Sequence, residues 1–237
     1  MRREGDAPPG TEELLLDVTD DAQVRVAAAS VGESVDGLVN NAGIAVAAPL
    51  EFLPLDQLRR QFEVNLIGQL AVTQAFLPAL RHARGRIVNV SSIGGRSALP
   101  FLGAYAASKF ALEAVSDALR LEVAPFGIHV SVIEPGSIAT AIWEKGAETA
   151  NQISSEMPPE APELYGARIM AFRKAAAAAG SRGEPADAVA RVIEHALTAA
   201  KPKTRYLVGR DAKRRARVER LPDRVRDRML SRYLFGK

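Results

Sequence analysis

The stretch GRIVNVSS (85–92) decides how this chain is read. Isoleucine and valine follow one another with little polar alternation, the pattern of a strand buried on both faces, as in a parallel sheet. Upstream lies a long helical stretch from about Leu55 to Ala83, with Pro78 near its end. Downstream a helix from Phe101 to about Ala124 leads into a second such strand, GIHVSVIEPG (127–136). The same alternation extends in both directions. ELLLDV (13–18) reads as a short buried strand, and DDAQVRVAAASVGE after it as a helix opened by acidic residues that suit its N-terminal dipole. VDGLVNNAG is a strand entering a Gly/Asn turn. EPADAVARVIEHALTAA is a helix with an acidic start, and TRYLVG (204–209) a last strand. Strands alternating with helices predict an α/β domain whose parallel sheet is covered on both faces.

The 237 residues, 47% of them hydrophobic, are read as a single domain. Residues 138–183 lose the regular alternation and are read as a mobile segment with one or two helices that covers a ligand. There is no cysteine, which excludes disulfides, thiolate metal sites and a thiol nucleophile. His82, His129 and His195 are far apart with no ligand-like spacing, so no metal is expected. No apolar run approaches the roughly 20 residues of a membrane helix, and the first residues are charged; a cytoplasmic location is expected. The net charge of +3 hides an asymmetry: residues 201–237 carry +10 and the preceding 200 residues −7. The basic extension, 211–237, ends in LPDRVRDRMLSRYLF, where Leu221, Val225, Met229 and Tyr233 recur at four-residue steps between arginines. Such a segment suits an anionic surface, but packing of the helix against its own domain is the favoured reading, and no nucleic-acid partner is expected.

The chemistry centres on AYAASKFALE, which puts Tyr105 and Lys109 four positions apart on one face of a helix. A nearby ammonium favours the phenolate and lowers the pKa of a tyrosine from about 10. A phenol so tuned can give a proton to a carbonyl oxygen or take one from an alcohol. Ser92 ends the strand thirteen residues earlier, where its hydroxyl could bind the same oxygen.

LVNNAGI, the Asn of FEVNLIG, GRIVNVSSIGG, YAASK and VIEPGSIAT, in this order and spacing, resemble the short-chain dehydrogenase/reductase family, strongly over residues 13–140 and more loosely to 209. The resemblance implies a three-layer Rossmann-type parallel sheet and reversible hydride transfer between a nicotinamide cofactor, NADP or NAD, and a secondary alcohol or carbonyl. It implies Tyr105 as acid/base, Lys109 lowering the pKa of Tyr105 and binding the nicotinamide ribose, Ser92 orienting the substrate, and Asn65 interrupting its helix to anchor a proton-relaying water. It also implies cofactor contacts. Asp17 and Val18 would meet the adenine, Asn40, Ala42 and Gly43 would line the adenosine side and steady the sheet, and Pro135, Gly136, Ile138 and Thr140 would border the nicotinamide. A homo-oligomer built on the helices at 66–83 and 101–124 is implied as well. A sugar-nucleotide epimerase or dehydratase also uses Tyr and Lys four apart, but NNAG and the short C-terminal part favour the dehydrogenase.

On the family's pattern a strand, a glycine-rich phosphate turn, a helix and a second strand should precede LLLDVTD, and Met1–Glu13 cannot supply them. The sheet is therefore expected to lack its first βαβ segment, with strand 14–17 detached from or shifted against strand 37–40. An upstream segment outside this sequence is one explanation, and a non-catalytic binding or scaffolding remnant is the other. Under the first, Arg2 and Arg3 would lie where basic side chains meet a 2′-phosphate, a slight preference for NADP. Ile138, Ile142, Trp143, Met157, Tyr165, Met170 and Phe172 form an apolar supply that suits a lipophilic substrate. With TRYLVGRDAKR they resemble bacterial members related to 17-beta-hydroxysteroid and retinol dehydrogenases.

Overall fold

The computed structural model of the chain describes residues 10–236, so the reading placed on Arg2 and Arg3 lies outside the described residues. Helix α1 (Asp21–Ser30) starts where the Asp20 carboxylate accepts from the backbone N–H groups of Ala22 and Gln23. Strand β1 (Gly37–Asn40) follows. The long helical stretch expected from the sequence is α2 (Leu55–Phe62), a π-helical turn (Glu63–Ile67) and α3 (Gly68–Ala83) in unbroken succession. Strand β2 (Arg86–Val90), helix α4 (Gly103–Val123) and strand β3 (His129–Pro135) come next. Two helices, α5 (Ile142–Ser155) and α6 (Ala161–Gly180), fill the segment after β3. Its two ends are tied by a short parallel pair, β4 (Ile138–Ala139) with β5 (Glu184–Pro185). Helix α7 (Ala186–Thr198), strand β6 (Arg205–Val208) and helices α8 (Arg210–Val218) and α9 (Asp223–Phe235) complete the chain.

The main sheet is parallel in the order β1-β2-β3-β6, with Leu38, Ile87 and Val130 in register. Side-chain alternation divides the core between the two faces. Ile87 and Val130 pack with Leu80 of α3 and Leu119 and Val123 of α4. Val88, Ile133 and Val208 face the other way, against α7 at Ala196, Val192 and Ile193. Helices on both faces make the three layers expected from the uninterrupted apolar strands.

The strand read at ELLLDV does not form. Residues 11–17 belong to no strand among the described residues, and Leu14 and Leu15 are 42% and 59% exposed. Of the two outcomes expected for this segment, the chain takes the detached one. Local bonds hold its end at Asp17: the Asp17 N–H donates to Oε1 of Gln23, and the Thr19 N–H and hydroxyl both donate to the Asp17 carboxylate. The segment docks through Val18 instead, whose carbonyl oxygen and side chain lie against Gly68; a Cβ there would come within 2.7 Å of that oxygen.

A charged cluster ties β3, β6 and α4 at one edge of the sheet. Glu134 is fully buried, and its carboxylate accepts from Arg96 at 2.7 Å and lies 3.3 Å from Arg205. Arg205 also reaches Glu113 and Asp117. Burial pushes the Glu134 carboxyl up to about 7, with the charge of Glu113 adding to it and the two arginines opposing. A carboxyl whose folded-state pKa exceeds its unfolded value stabilises most below the unfolded value and loses that contribution as pH rises through the folded one. Stability is therefore expected to fall between roughly pH 4.5 and 7 through this group, and Glu134→Gln to flatten that slope in urea unfolding measured across the range. An unchanged slope would assign the dependence elsewhere.

Candidate active site

After Asn40 the chain leaves the sheet and runs beneath the α2–α3 helix, where its backbone needs partners. Three amide side chains of that helix supply them. Gln61 accepts from the Val46 N–H and donates to the Ile44 carbonyl. Asn65 accepts from the Ile44 N–H at 2.8 Å and donates to the Ile44 carbonyl and to Ser108. Gln69 donates to the Ala42 carbonyl at 2.6 Å. The π turn that carries Asn65 is the interruption expected at this residue, and Asn65 itself is fully buried. The sequence contains the signal for this row: Gln61, Asn65 and Gln69 stand at four-residue steps. Of the three, sequence reasoning singled out only Asn65.

Asn40 is committed to the sheet. Its amide donates to Thr73 of α3 and to Asn89, its register partner on β2, and Asn89 donates onward to Ser116 of α4. This is the sheet-steadying half of the expectation for Asn40.

Tyr105 and Lys109 project from α4 as their spacing requires, both buried. Ser92 follows β2, with its Oγ accepting from the Gly94 N–H at 3.0 Å and its hydroxyl 3.5 Å from the Pro135 carbonyl. Gly94 lets the loop lie flat on the phenol; a Cβ there would come within 3.1 Å of the Tyr105 ring and 3.3 Å of the Ser92 oxygen. The sequence reading passed over Gly94, because only its packing distinguishes it from any loop glycine.

The electrostatics correct one expectation. The phenol of Tyr105 is raised rather than lowered: burial pushes it up, and the groups opposing the rise are the Ser92 hydroxyl and the charge of Arg215. The Lys109 ammonium instead donates to the Val90 carbonyl at 2.8 Å. Its own pKa is lowered to about 8 by burial, with Glu113 opposing. Spacing along a helix sets which side chains share a face, but not where a long side chain finds its hydrogen bond.

Behind the phenol, Gly43 faces Asn65 and Lys109, a Cβ there standing 3.5 Å from Asn65 Oδ1 and 4.0 Å from Lys109 Nζ with no other neighbour that close. That leaves open space beside a buried ammonium, which fits a ribose hydroxyl of a nicotinamide cofactor. Val18 lies against the start of α3, and the Asp17 carboxyl before it is held below its usual range mainly by the Thr19 hydrogen bonds. Pro135 ends β3, and Gly136 N–H donates to Val208. Ile138 is buried in β4, whereas Thr140 is exposed. Among the expected residues, Ser92, Tyr105 and Gly136 line one large cavity of about 1390 Å³. Its apolar wall includes Trp143, 6.4 Å from the Tyr105 ring, and Phe172, packed edge-on against Phe101. Helix α9 borders it through Met229 and Leu234. Of the three histidines, His195 packs edge-on against Tyr206, and the described residues hold no group of three metal-ligating side chains.

A three-layer parallel sheet with a serine, a tyrosine and a lysine converging at the ends of its central strands defines a nucleotide-dependent oxidoreductase type of site. Residues 11–151 match the short chain dehydrogenase family model. The chain is 41% identical over 210 residues to "Dehydrogenase/reductase SDR family member 9" of Bos taurus, covering 84% of this chain and 66% of that one. It is 42% identical over 212 residues to "Retinol dehydrogenase 16" of Homo sapiens, covering 85% and 67%. A solved short chain dehydrogenase from Burkholderia cenocepacia in complex with NADP superposes with a TM-score of 0.70 at 27% identity, covering 98% of this chain and 81% of the other. The chain belongs to the short-chain dehydrogenase family. It spans about two thirds of the length of these two curated relatives.

The depressed Lys109 value rests on burial opposed by Glu113. Lysine-labelled NMR is expected to find one ammonium titrating near 8, and Glu113→Gln to move it lower still. A shift upward in that variant would contradict the assignment.

Proposed function

We propose that the chain interconverts a secondary alcohol and a carbonyl with NADP or NAD, with Tyr105 as the acid/base. One observation carries this reading: the Tyr105 phenol and the Ser92 hydroxyl open into the same cavity, while the Lys109 ammonium is fixed behind them. Ser92 accepts from Gly94, which holds its oxygen in place, and its long 3.5 Å bond to the Pro135 carbonyl would be exchanged for one to a substrate oxygen. Tyr105 gives its proton to that oxygen in reduction, and the phenolate takes one in oxidation. The raised phenol pKa keeps Tyr105 protonated at neutral pH, which favours reduction, whereas oxidation needs the phenolate and gains as pH rises. Lys109 and Gly43 would hold the ribose of the cofactor, and Gly136, Ile138 and Thr140 would border its nicotinamide; when bound, the nicotinamide supplies or accepts the hydride. Pro135 shapes that turn from behind. The adenosine side would fall to Asp17, Val18 and Ala42, with Asn40 bracing the strand below. Asn65 keeps the loop over Lys109 in place through Ile44 and would anchor the relaying water.

The apolar cavity supports a lipophilic alcohol or carbonyl as substrate, and a relative named for retinol agrees with that class. NADP as the preferred cofactor, a homo-oligomer formed through α3 and α4, and a cytoplasmic setting remain part of the proposal. No helix among the described residues is long and apolar enough to cross a membrane. Packing of the basic C-terminal helices against their own domain is the favoured reading over contact with an anionic surface: Arg168 of α6 stacks on Phe235, and Met229 and Leu234 of α9 border the cavity.

Tyr105→Phe is expected to reduce nicotinamide-dependent turnover by about 10²–10⁴-fold with an unchanged melting temperature, read from cofactor absorbance with lipophilic ketones. Turnover equal to that of the native chain would overturn the assignment of Tyr105. Alcohol oxidation is expected to rise toward alkaline pH while ketone reduction holds level through neutrality; a steady-state pH profile of both directions checks this.

A further inference from the structure

The cavity has an apolar body and a basic wall. Asp211, Arg214, Arg215 and Val218 of α8 line it at the spacing of one helix face, and Arg210 joins them at the helix start. Around the whole cavity six cationic side chains stand against three carboxylates, Glu144, Glu184 and Asp211. Asp211 is already engaged, accepting from the Ser137 N–H at 2.7 Å and lying over Gly136, where a Cβ would overlap its carboxylate. Neither Arg210, Arg214 nor Arg215 makes an ion pair among the described residues.

Arg215 is the most constrained of the three. One end of its guanidinium donates to the Ser97 carbonyl at 2.7 Å, which holds the side chain in place. Its Nε is buried and has no hydrogen-bond partner among the described residues. A guanidinium presents five donors in a fixed fork and cannot shed its proton; with Nε enclosed and one Nη on Ser97, the other Nη of this cavity-lining side chain is the donor left for a ligand's acceptor. In apolar surroundings its charge is weakly screened, and a carboxylate is the partner whose geometry it matches. Alanines 175–179 of α6 and the rings of Trp143 and Phe172 supply apolar lining, with Arg173 and Lys174 of the same helix among the cavity's cations.

We propose that this cavity selects amphipathic substrates: a lipophilic body bearing a carboxylate, with the carboxylate held by Arg215 and the arginines beside it. This specifies the substrate class of the reading given above and rests on it for the reaction. In that arrangement the acid group is anchored at α8, the body lies along α6, and the reacting oxygen meets Tyr105 and Ser92. Arg215 then sets which substrates enter.

The test uses binding rather than turnover, so that loss of hydride transfer cannot be mistaken for loss of recognition. Trp143 is the chain's one tryptophan and lines the cavity, so its fluorescence reports occupancy. Dodecanoate, its methyl ester and dodecanol are titrated below their aggregation thresholds into the native chain, Arg215→Lys and Arg215→Gln. The native chain is expected to bind dodecanoate at least about tenfold tighter than the ester or the alcohol, the scale of one hydrogen bond to a charged group. Arg215→Gln is expected to abolish that preference while leaving dodecanol affinity unchanged, and Arg215→Lys to retain part of it. Equal affinity of the native chain for acid, ester and alcohol would overturn the proposal whatever the variants do. So would undiminished acid preference in a folded Arg215→Gln, or no fluorescence response to any of the three ligands. Conversely, a clear acid preference in a chain that turns over no ketone would leave this proposal standing and overturn the oxidoreductase reading.

Discussion

Once the chain leaves β1, buried backbone groups at Ala42, Ile44 and Val46 must be answered by side chains, because no neighbouring strand reaches them. Gln61, Asn65 and Gln69 answer them from one helix. An unsatisfied buried backbone group costs on the order of 1–3 kcal/mol, so this row fixes the loop against the helix far more firmly than apolar contact would. The π turn follows from the same requirement, since it brings the Asn65 amide level with Ile44 while still reaching Ser108 on α4. Ser108 in turn donates to the Tyr105 carbonyl. The loop after β1, the interrupted helix and the helix that carries the phenol are thereby one hydrogen-bonded unit.

Tyr105 and Lys109 lie buried beside that unit, and burial governs their electrostatics. The phenol of Tyr105 rises and the ammonium of Lys109 falls for the same reason: each is deprived of the water that would stabilise its charged form. The two shifts bring the pKa values of acid and base further from, and nearer to, neutrality respectively. Burial thus favours the neutral phenol of Tyr105, and the Lys109 ammonium is bound to the Val90 carbonyl.

The opposite side of the cavity is built from the C-terminal third of the chain. Helices α5 and α6 are held at their base by the β4–β5 pair, and α8 is pinned where Asp211 caps the Ser137 N–H. A cation–π contact of Arg168 with Phe235 joins α6 to the end of α9. The excess positive charge in this part of the sequence is consequently divided between solvent and the cavity wall. That division accounts for a basic extension in a chain whose preceding residues are acidic.

The four sheet strands, the helices between them and the pairing of Tyr105 with Lys109 were legible from residue order, because apolar periodicity and helical spacing are local properties. Ser92 was legible from its place at a strand end ahead of Tyr105, whereas Asn65 came from the resemblance to a family. Sequence alone misread ELLLDV as a buried strand, since a strand needs a neighbour, and the local bonds among Asp17, Thr19 and Gln23 prevailed. It also assigned the lowering of the phenol pKa to Lys109, although the nearest ammonium in sequence is bound to Val90 and the opposing cation, Arg215, lies 110 positions further along the chain. Residue order determines which groups share a face; burial and long-range approach, which decide charge and hydrogen bonding, exist only once the layers have packed.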